Sequence, residues 1–484
     1  MVSPPLSEQS SHGDVNKWVV LSVVSIGTLM STLDGGVASV AYPALADAFE
    51  VDTSTVVWFT VAFWVTTVGL MLTLGWIGDV AGRRRMFTAG FLLFAVGLLF
   101  TAVATDIWQV IVSRVVQGVG SAMLLSNLNA LITSSFPAEE RGKALGISGA
   151  VVGIGLSAGP LVGGLLIDVL DWRALFYTRA PMGVVGALLS WLVLPRDAVP
   201  GGRVQIDLWG AVSVFGTLAG FLLVVNQGGN LGFGSSTIIS LALATGLFSV
   251  LLVWSQRRAA RPILDFALFR TRQYAIGLSV LFTHYLSYGA IMLAAPFLLA
   301  DGMGFSATKM GLYIAAFYFG RTVLAPVAGR ASDRFDPRPF LIIGNLVLVA
   351  GFVWLSVLGN PVSERAFLSG VLLAGVGSAL FEPVVTSSIM GSVPGDRLGT
   401  ASASVAVGRQ LAFAIGVALA GAIFTIREGV YLEELTAIGS PAATVGAEAI
   451  SRGFADAMLS GVALALIAVL LSPWTRRPRV ERPA

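Results

Sequence analysis

Residues 75–86 read GWIGDVAGRRRM. One aspartate and three consecutive arginines stand there between two long apolar segments, in a chain of 484 residues of which only 12% are charged. A run like this marks a boundary between two solvents. The chain is 55% apolar, with a mean hydropathy of +0.83, against about 45–50% apolar and about 25% charged for a soluble domain. It belongs in a bilayer, and GWIGDVAGRRRM is a loop that leaves it.

Outward from that loop, apolar runs recur at 18–41, 55–76, 87–104, 108–132, 144–166, 175–194, 208–226, 236–255, 274–299, 310–329, 340–359, 366–390, 401–424 and 455–472. Each has about the length that crosses ~30 Å of hydrocarbon at ~1.5 Å per residue. Helix is the expected state, because lipid offers the backbone no hydrogen-bond partners. The sequence therefore predicts an all-α integral membrane protein with 14 transmembrane helices. The polar start, MVSPPLSEQSSHGDVN, has no basic n-region, so no cleaved signal peptide is expected and the first helix is retained.

Composition also excludes chemistries. There is no cysteine and there are two histidines, which argues against thiol, disulfide, metal or haem function. No GxxxxGK[ST] occurs, so direct ATP hydrolysis is not expected. A net charge of +3 gives no reason to expect a nucleic-acid partner. No cofactor is expected, and the chain does not read as an enzyme.

An even number of crossings puts both termini on one side. The connectors and tails on that side carry 21 of the 30 basic residues, among them Arg83–Arg85, Arg257, Arg258 and the C-terminal arginines. The opposite connectors are neutral or acidic, as in DAFEVD at 47–52 and EGVYLEEL at 428–435. The positive-inside rule places both termini in the cytoplasm. With lysine at only Lys17, Lys143 and Lys309, the usage suggests a GC-rich bacterial genome and a bacterial inner (cytoplasmic) membrane.

The chain repeats itself. GVGSA at 118–122 returns at 375–379, and the same shift maps Pro137 onto Pro394, Gly142 onto Gly399 and Ala144 onto Ala401. With a nearly equal shift, Gly75, Asp79 and Arg84 map onto Gly329, Asp333 and Arg338. Matches in order at a nearly constant spacing mean an internal duplication. Helices 1–6 pair with helices 9–14, a 6+2+6 plan: an N-terminal bundle over 1–194 with a tail at 1–17, a linker with two extra helices over 195–272, and a C-terminal bundle with a basic tail over 273–484. Two homologous bundles around a central cavity is how many secondary transporters are built.

These motifs resemble a known family. GWIGDVAGRRRM is similar to the loop signature between helices 2 and 3 of the major facilitator superfamily, and GRASDRFDPR at 329–338 to its second-half copy. SRVVQGVGSA at 113–122 resembles the helix-4 motif, and GIGLSAGPLVGG at 153–164 the helix-5 motif associated with antiporters. STLDGGVASVAYP at 31–43, DWRALF at 171–176 and RQLAFAIG at 409–416 resemble the fourteen-helix drug:proton antiporter branch, although Arg179 falls where an asparagine is usual. The resemblance implies the major facilitator fold and alternating access. It implies a proton-coupled antiporter exporting drugs or other amphiphilic or anionic small molecules. Its partners would be a small-molecule substrate, protons and membrane lipids, and the chain would be a monomer. A symporter or uniporter on the same fold is the alternative, and a membrane enzyme or receptor a remote one.

Site residues follow in groups. For gating, Asp79 at a helix end suits the amide-rich start of a facing helix, which the family picture identifies as that of helix 13 near Thr400 and Ser402. Gly75, Gly78 and Gly82 give the tight turn, Arg83 meets headgroups, and Asp333 and Arg334 are the second-half counterparts. For proton coupling, Asp34 and Arg114 fall at matching depth, counted as about seven and six residues from the outer ends of helices 1 and 4. A permanent ion pair is the competing reading. In the second half Glu382 and Arg409 form the equivalent set, with Arg321 at the same level. An intramembrane charge costs at least ~2.5 kcal/mol unless paired or hydrated. Gln117, Arg321, Trp64 and His284 are candidate cavity residues. Gly155, Gly159, Pro160 and Gly163 form the antiporter motif, whose small residues let helices approach. Asp34 and Glu382 against Arg114, Arg179, Arg321 and Arg409 leave excess positive charge in the membrane, which favours an anionic, zwitterionic or neutral amphiphilic cargo over a dication.

Overall fold

The computed structural model describes residues 16–137, 140–195, 208–232, 234–258, 266–393 and 398–475, and no strand occurs among them. The long helices are α1 (Lys17–Phe49), α2 (Trp58–Ala81), α3 (Arg83–Ala102), α4 (Ile107–Ser135), α5 (Arg141–Val169), α6 (Ala180–Val193) and α7 (Leu208–Leu231). They continue with α8 (Ser236–Arg258), α9 (Arg272–Phe297), α10 (Ala307–Arg334), α11 (Pro337–Ser356), α12 (Glu364–Met390), α13 (Leu398–Ala437) and α14 (Ala442–Leu471). Among the described residues, thirteen segments are long and apolar enough to cross a membrane. The stretch Trp209–Val225 of α7 is apolar but shorter.

Local chemistry sets several ends. Asn16 caps α1 by accepting from the Trp18 amide at 2.9 Å, and Asp106 caps α4 by accepting from Trp108 at 2.7 Å. Asp336 caps α11, with Pro337 at its first position. The α2–α3 corner turns on Gly82, whose φ of 106° is a conformation that side-chain-bearing residues avoid.

Three helices outrun the apolar windows of the sequence. α1 continues through Pro43 to Phe49, so Asp34 lies at mid-helix and not near the outer end as the count of about seven residues had it. α13 continues to Ala437, which makes EGVYLEEL helical, and α14 starts at Ala442, well before 455. The α13 extension is braced by α14: Arg427 pairs with Asp456, the Tyr431 hydroxyl donates to Asp456 at 2.9 Å, and Leu435 clusters with Val445 and Ala449. Hydropathy detects lipid-matched residues. It is blind to helix that polar side chains carry out of the bilayer.

Two groups of helices emerge from the packing. In the first, α1 packs on α5, α2 and α3 on α4, and α3 on α6; in the second, α9 packs on α13, α10 and α11 on α12, and α11 on α14. These are the same pairings displaced by eight helices, as a duplicated chain requires. The groups meet along α5–α10 and, less extensively, along the symmetry-related pair α2–α13, where α7 lies against both helices. α8 packs on α7 and leaves Leu243, Leu247 and Val250 exposed.

α5 and α10 run antiparallel, which fixes the two faces of the molecule. Lys17 pairs with Glu140 at 2.6 Å beside the start of α5, and Arg338, just beyond the end of α10, donates to the Thr475 carbonyl at 2.7 Å. Both described chain ends thus share a near face. The end of α5 and the start of α10 lie on the far face.

Candidate functional site

Each group of helices buries one carboxylate between two guanidiniums. In the first, Asp34 of α1 faces Arg114 of α4 at 2.7 Å and Arg179, just ahead of α6, at 3.0 Å. Gln117 stands one turn from Arg114 and closes a ring, donating to Asp34 Oδ1 at 3.0 Å and accepting from Arg114 at 2.6 Å. Arg114 also donates from Nε to the Phe59 carbonyl at 3.0 Å, with its guanidinium 4.2 Å from the Phe59 ring centroid and 4.3 Å from that of Phe63. The side chains of Asp34 and Arg114 are each 1% exposed. A charge this deep persists only when paired and hydrogen-bonded on every side.

The second cluster is more open. Arg321 of α10 pairs with one oxygen of Glu382 on α12, while Arg409 of α13 approaches the other at 3.2 Å. The Tyr285 hydroxyl of α9 donates to Glu382 Oε1 and accepts from Arg321 at 3.4 Å. The Arg409 side chain is 33% exposed, against 1% for Arg114 and 9% for Arg179 around Asp34. One cluster is sealed and the other faces space.

Glycine governs the seam between the two groups. On α5, a Cβ at Gly155 would lie 2.1 Å from Thr32 Oγ1, at Gly159 2.8 Å from the Gly36 Cα, and at Gly163 2.8 Å from a Val40 methyl, all on α1. Next to that stripe, a Cβ at Gly164 would lie 2.1 Å from the Ala307 carbonyl oxygen of α10, and one at Gly311 of α10 2.1 Å from the Pro160 carbonyl oxygen. Small residues let α5 touch both neighbours at backbone distance. Nearer the near face the contact loosens: a Cβ at Gly153 would lie 3.0 Å from Thr322, and one at Gly149 would meet none of the described residues of other helices within 4 Å. At the far end Asp168 crosses the seam, accepting from the amides of Ala307 at 2.9 Å and Thr308 at 2.7 Å. These amides open α10, where the helix dipole is positive. Sequence reading passed over Asp168. Its signal was an acid four residues after GPLVGG, with the helix-capping Ser306 in the facing loop.

The other expected residues are placed as follows. Trp64 of α2 lies edge-on to Phe413 of α13, with centroids 5.8 Å apart, and so spans the two groups. His284 is buried, its Nδ1 2.8 Å from Asn345 Oδ1 and its ring stacked on Phe381 at 4.0 Å, so its polar contact points to α11 and not to the Glu382 cluster. Gly75 and Gly78 bring α2 against α4, where a Cβ at Gly78 would lie 2.1 Å from Asn127 Oδ1. Arg83 is the first residue of α3. The side chains of Asp79, Asp333, Arg334 and Ser402 lie outside the described residues, as do those of Thr400 and all of Arg397. Arg179 was counted among the membrane-embedded charges without a partner; the break in helix before Ala180 lets it turn onto Asp34.

Two pseudo-equivalent groups of membrane helices, each holding a buried carboxylate–arginine cluster, define a multi-pass membrane transporter and not an enzyme. The chain belongs to the Major Facilitator Superfamily, whose family profile matches residues 24–269 and 277–483. It is 28% identical over 408 residues to the riboflavin transporter RibZ of Clostridioides difficile (strain 630), covering 84% of this chain and 88% of that protein. To the multidrug resistance protein Stp of Mycobacterium tuberculosis (strain ATCC 25618 / H37Rv) it is 28% identical over 413 residues, covering 84% and 76%. Such relatives place it in the drug-transporter branch of that superfamily, as a multi-pass bacterial membrane protein. Among solved structures, an inward-facing, unoccupied bacterial homologue of the human lysosomal transporter Spinster superposes with a TM-score of 0.68 at 16% identity, over 97% of this chain and 98% of that one.

Proposed function

We propose that this transporter is a proton-coupled antiporter that exports amphiphilic small molecules, anionic ones included, from the bacterial cytoplasm by alternating access. Residues 1–194 and 273–484 are the two moving bundles, and 195–272 carries two additional crossings. The near face, with both termini, is cytoplasmic. The observation that carries the reading is the pairing of one buried carboxylate with two arginines in each bundle, on either side of a glycine seam latched at the far face. A carboxylate held this way alternates between a guanidinium partner and a proton as the bundles tilt, and a ~100 mV potential supplies about 2.3 kcal/mol per proton moved. The relatives named for multidrug resistance and for riboflavin support an organic cargo with substantial apolar surface.

The test uses everted membrane vesicles energised to an acidic interior and loaded with a pH-sensitive dye. Adding cargo releases protons from vesicles that contain the wild-type chain. Cargo uptake with no proton movement, or with proton movement in the same direction as cargo, rules the antiport reading out.

A further inference from the structure

Glu382 carries more positive charge around it than it needs. Arg321 and the Tyr285 hydroxyl hold its two oxygens in the shortest contacts, and Arg409 stands further off at 3.2 Å. The Nε of Arg409 is buried with no hydrogen-bond partner among the described residues. Its guanidinium lies 5.5 Å from the centroid of the Tyr285 ring, with a third of the side chain exposed. A guanidinium offers five donors in a planar fork that matches a carboxylate or phosphate. Here that fork is only partly used.

Its surroundings define what would use the rest. Arg409 and Phe413 are four residues apart on α13 and so share a face, one turn from each other. Phe413 touches Trp64 across the bundle boundary and Tyr288 of α9 at 5.4 Å, and Tyr288 stacks on Phe317 at 5.0 Å. The exposed part of Arg409 thus opens beside an aromatic row that spans both bundles. Asp34 and Arg114 are closed off, each 1% exposed, and a Cβ at Gly35, next to Asp34, would lie 3.7 Å from the Trp64 ring.

We propose that Arg409 is a cargo-specificity residue: it seats the negatively charged end of an aromatic amphiphile whose ring lies against Trp64, Phe413 and Tyr288. The proposal rests on the transporter reading and narrows its cargo from amphiphiles in general to aromatic anions seated by one arginine. A cation in this position would meet a cluster that already has one positive charge in excess. A charge-assisted bond to a guanidinium in a cavity is worth about a tenfold to hundredfold change in affinity.

The full chain in lipid nanodiscs is titrated, by saturation-transfer NMR, with three probes that share one ring: 1-naphthaleneacetate, 1-naphthaleneacetamide and 1-naphthylmethylammonium. The wild type is expected to bind the acid at least about tenfold more tightly than the amide, and the amine most weakly. Arg409→Gln brings the acid within about twofold of the amide, Arg409→Lys keeps part of the preference, and Arg452→Gln, which removes an arginine paired with Glu448 elsewhere, keeps all of it. Monodisperse elution and an unchanged melting temperature establish that Arg409→Gln is folded. An acid preference that survives Arg409→Gln, a wild-type preference for the amine, or no binding of any probe overturns the proposal. If everted vesicles still release protons on addition of cargo in that case, the charge assignment alone has failed and the antiport reading stands.

Discussion

The far-face latch gives the most calculable prediction. Asp168 accepts two amide hydrogen bonds from the first turn of α10, at 2.9 and 2.7 Å, and it is the described carboxylate that bridges α5 to α10. In a dry site, bonds to a charged acceptor contribute about 1.5–3 kcal/mol each. Asp168 is exposed, so water screens them towards ~0.5–1 kcal/mol each. Asp168→Asn keeps an acceptor and loses the charge, which costs about 1 kcal/mol, or roughly a fivefold shift towards separated far ends. Asp168→Ala loses both bonds, about 1–2 kcal/mol together, and the shift reaches roughly fivefold to thirtyfold. The chain has no cysteine, so Leu170→Cys and Leu312→Cys take spin labels without background. Pulsed electron–electron resonance then reads the distance between the far ends of α5 and α10. A longer-distance population should grow from wild type to Asn to Ala. Identical distributions in all three would show that packing along the glycine seam, and not Asp168, holds the bundles together.

Two other substitutions separate seam from core. Gly164→Ala sets a methyl where the Ala307 backbone already stands, at 2.1 Å, so neither side can rotate away. It should destabilise the far-face-closed state by about 1–3 kcal/mol and lengthen the same spin-label distance, with transport slowed in proportion. His284→Ala loses the contact to Asn345 and the stack on Phe381. It should lower the melting temperature, by about 1–3 kcal/mol of stability, while cargo affinity stays at the wild-type value; a selective loss of affinity would return His284 to the cavity.

Much of the site was legible because a bilayer makes charges conspicuous. Asp34 and Arg114 are expected at one level and meet there, as are Glu382, Arg321 and Arg409; Gln117, a cavity candidate one turn along from Arg114, instead bonds to Asp34. Depth counting worked for Arg114 because α4 starts where its apolar run starts. For α1 it misjudged the position of Asp34, since neither Pro43 nor Asp47 ends the helix, which runs on to Phe49. Arg179 reaches Asp34 only through a break at Thr178 that no periodicity announces. Asp168 was overlooked because its partners are backbone amides, and any residue type would present those. The buried side of His284 depends on helix rotation, which a pattern that is apolar all round leaves undetermined.

Proton coupling by this chain requires that a buried carboxylate exchange its arginines for a proton during transport. Asp34 is the sharper case, because its two ion pairs and the bond from Gln117 leave it no other role than tie or coupling site. The decisive measurement is cargo accumulation in proteoliposomes against an imposed pH gradient, with wild type, Asp34→Asn and Glu382→Gln reconstituted at equal density and cargo–cargo exchange run beside it. With Asp34 as the coupling site, Asp34→Asn exchanges cargo downhill and no longer concentrates it. If Asp34→Asn concentrates cargo with the pH dependence of the wild type, Asp34 is only a structural tie and coupling through it is refuted.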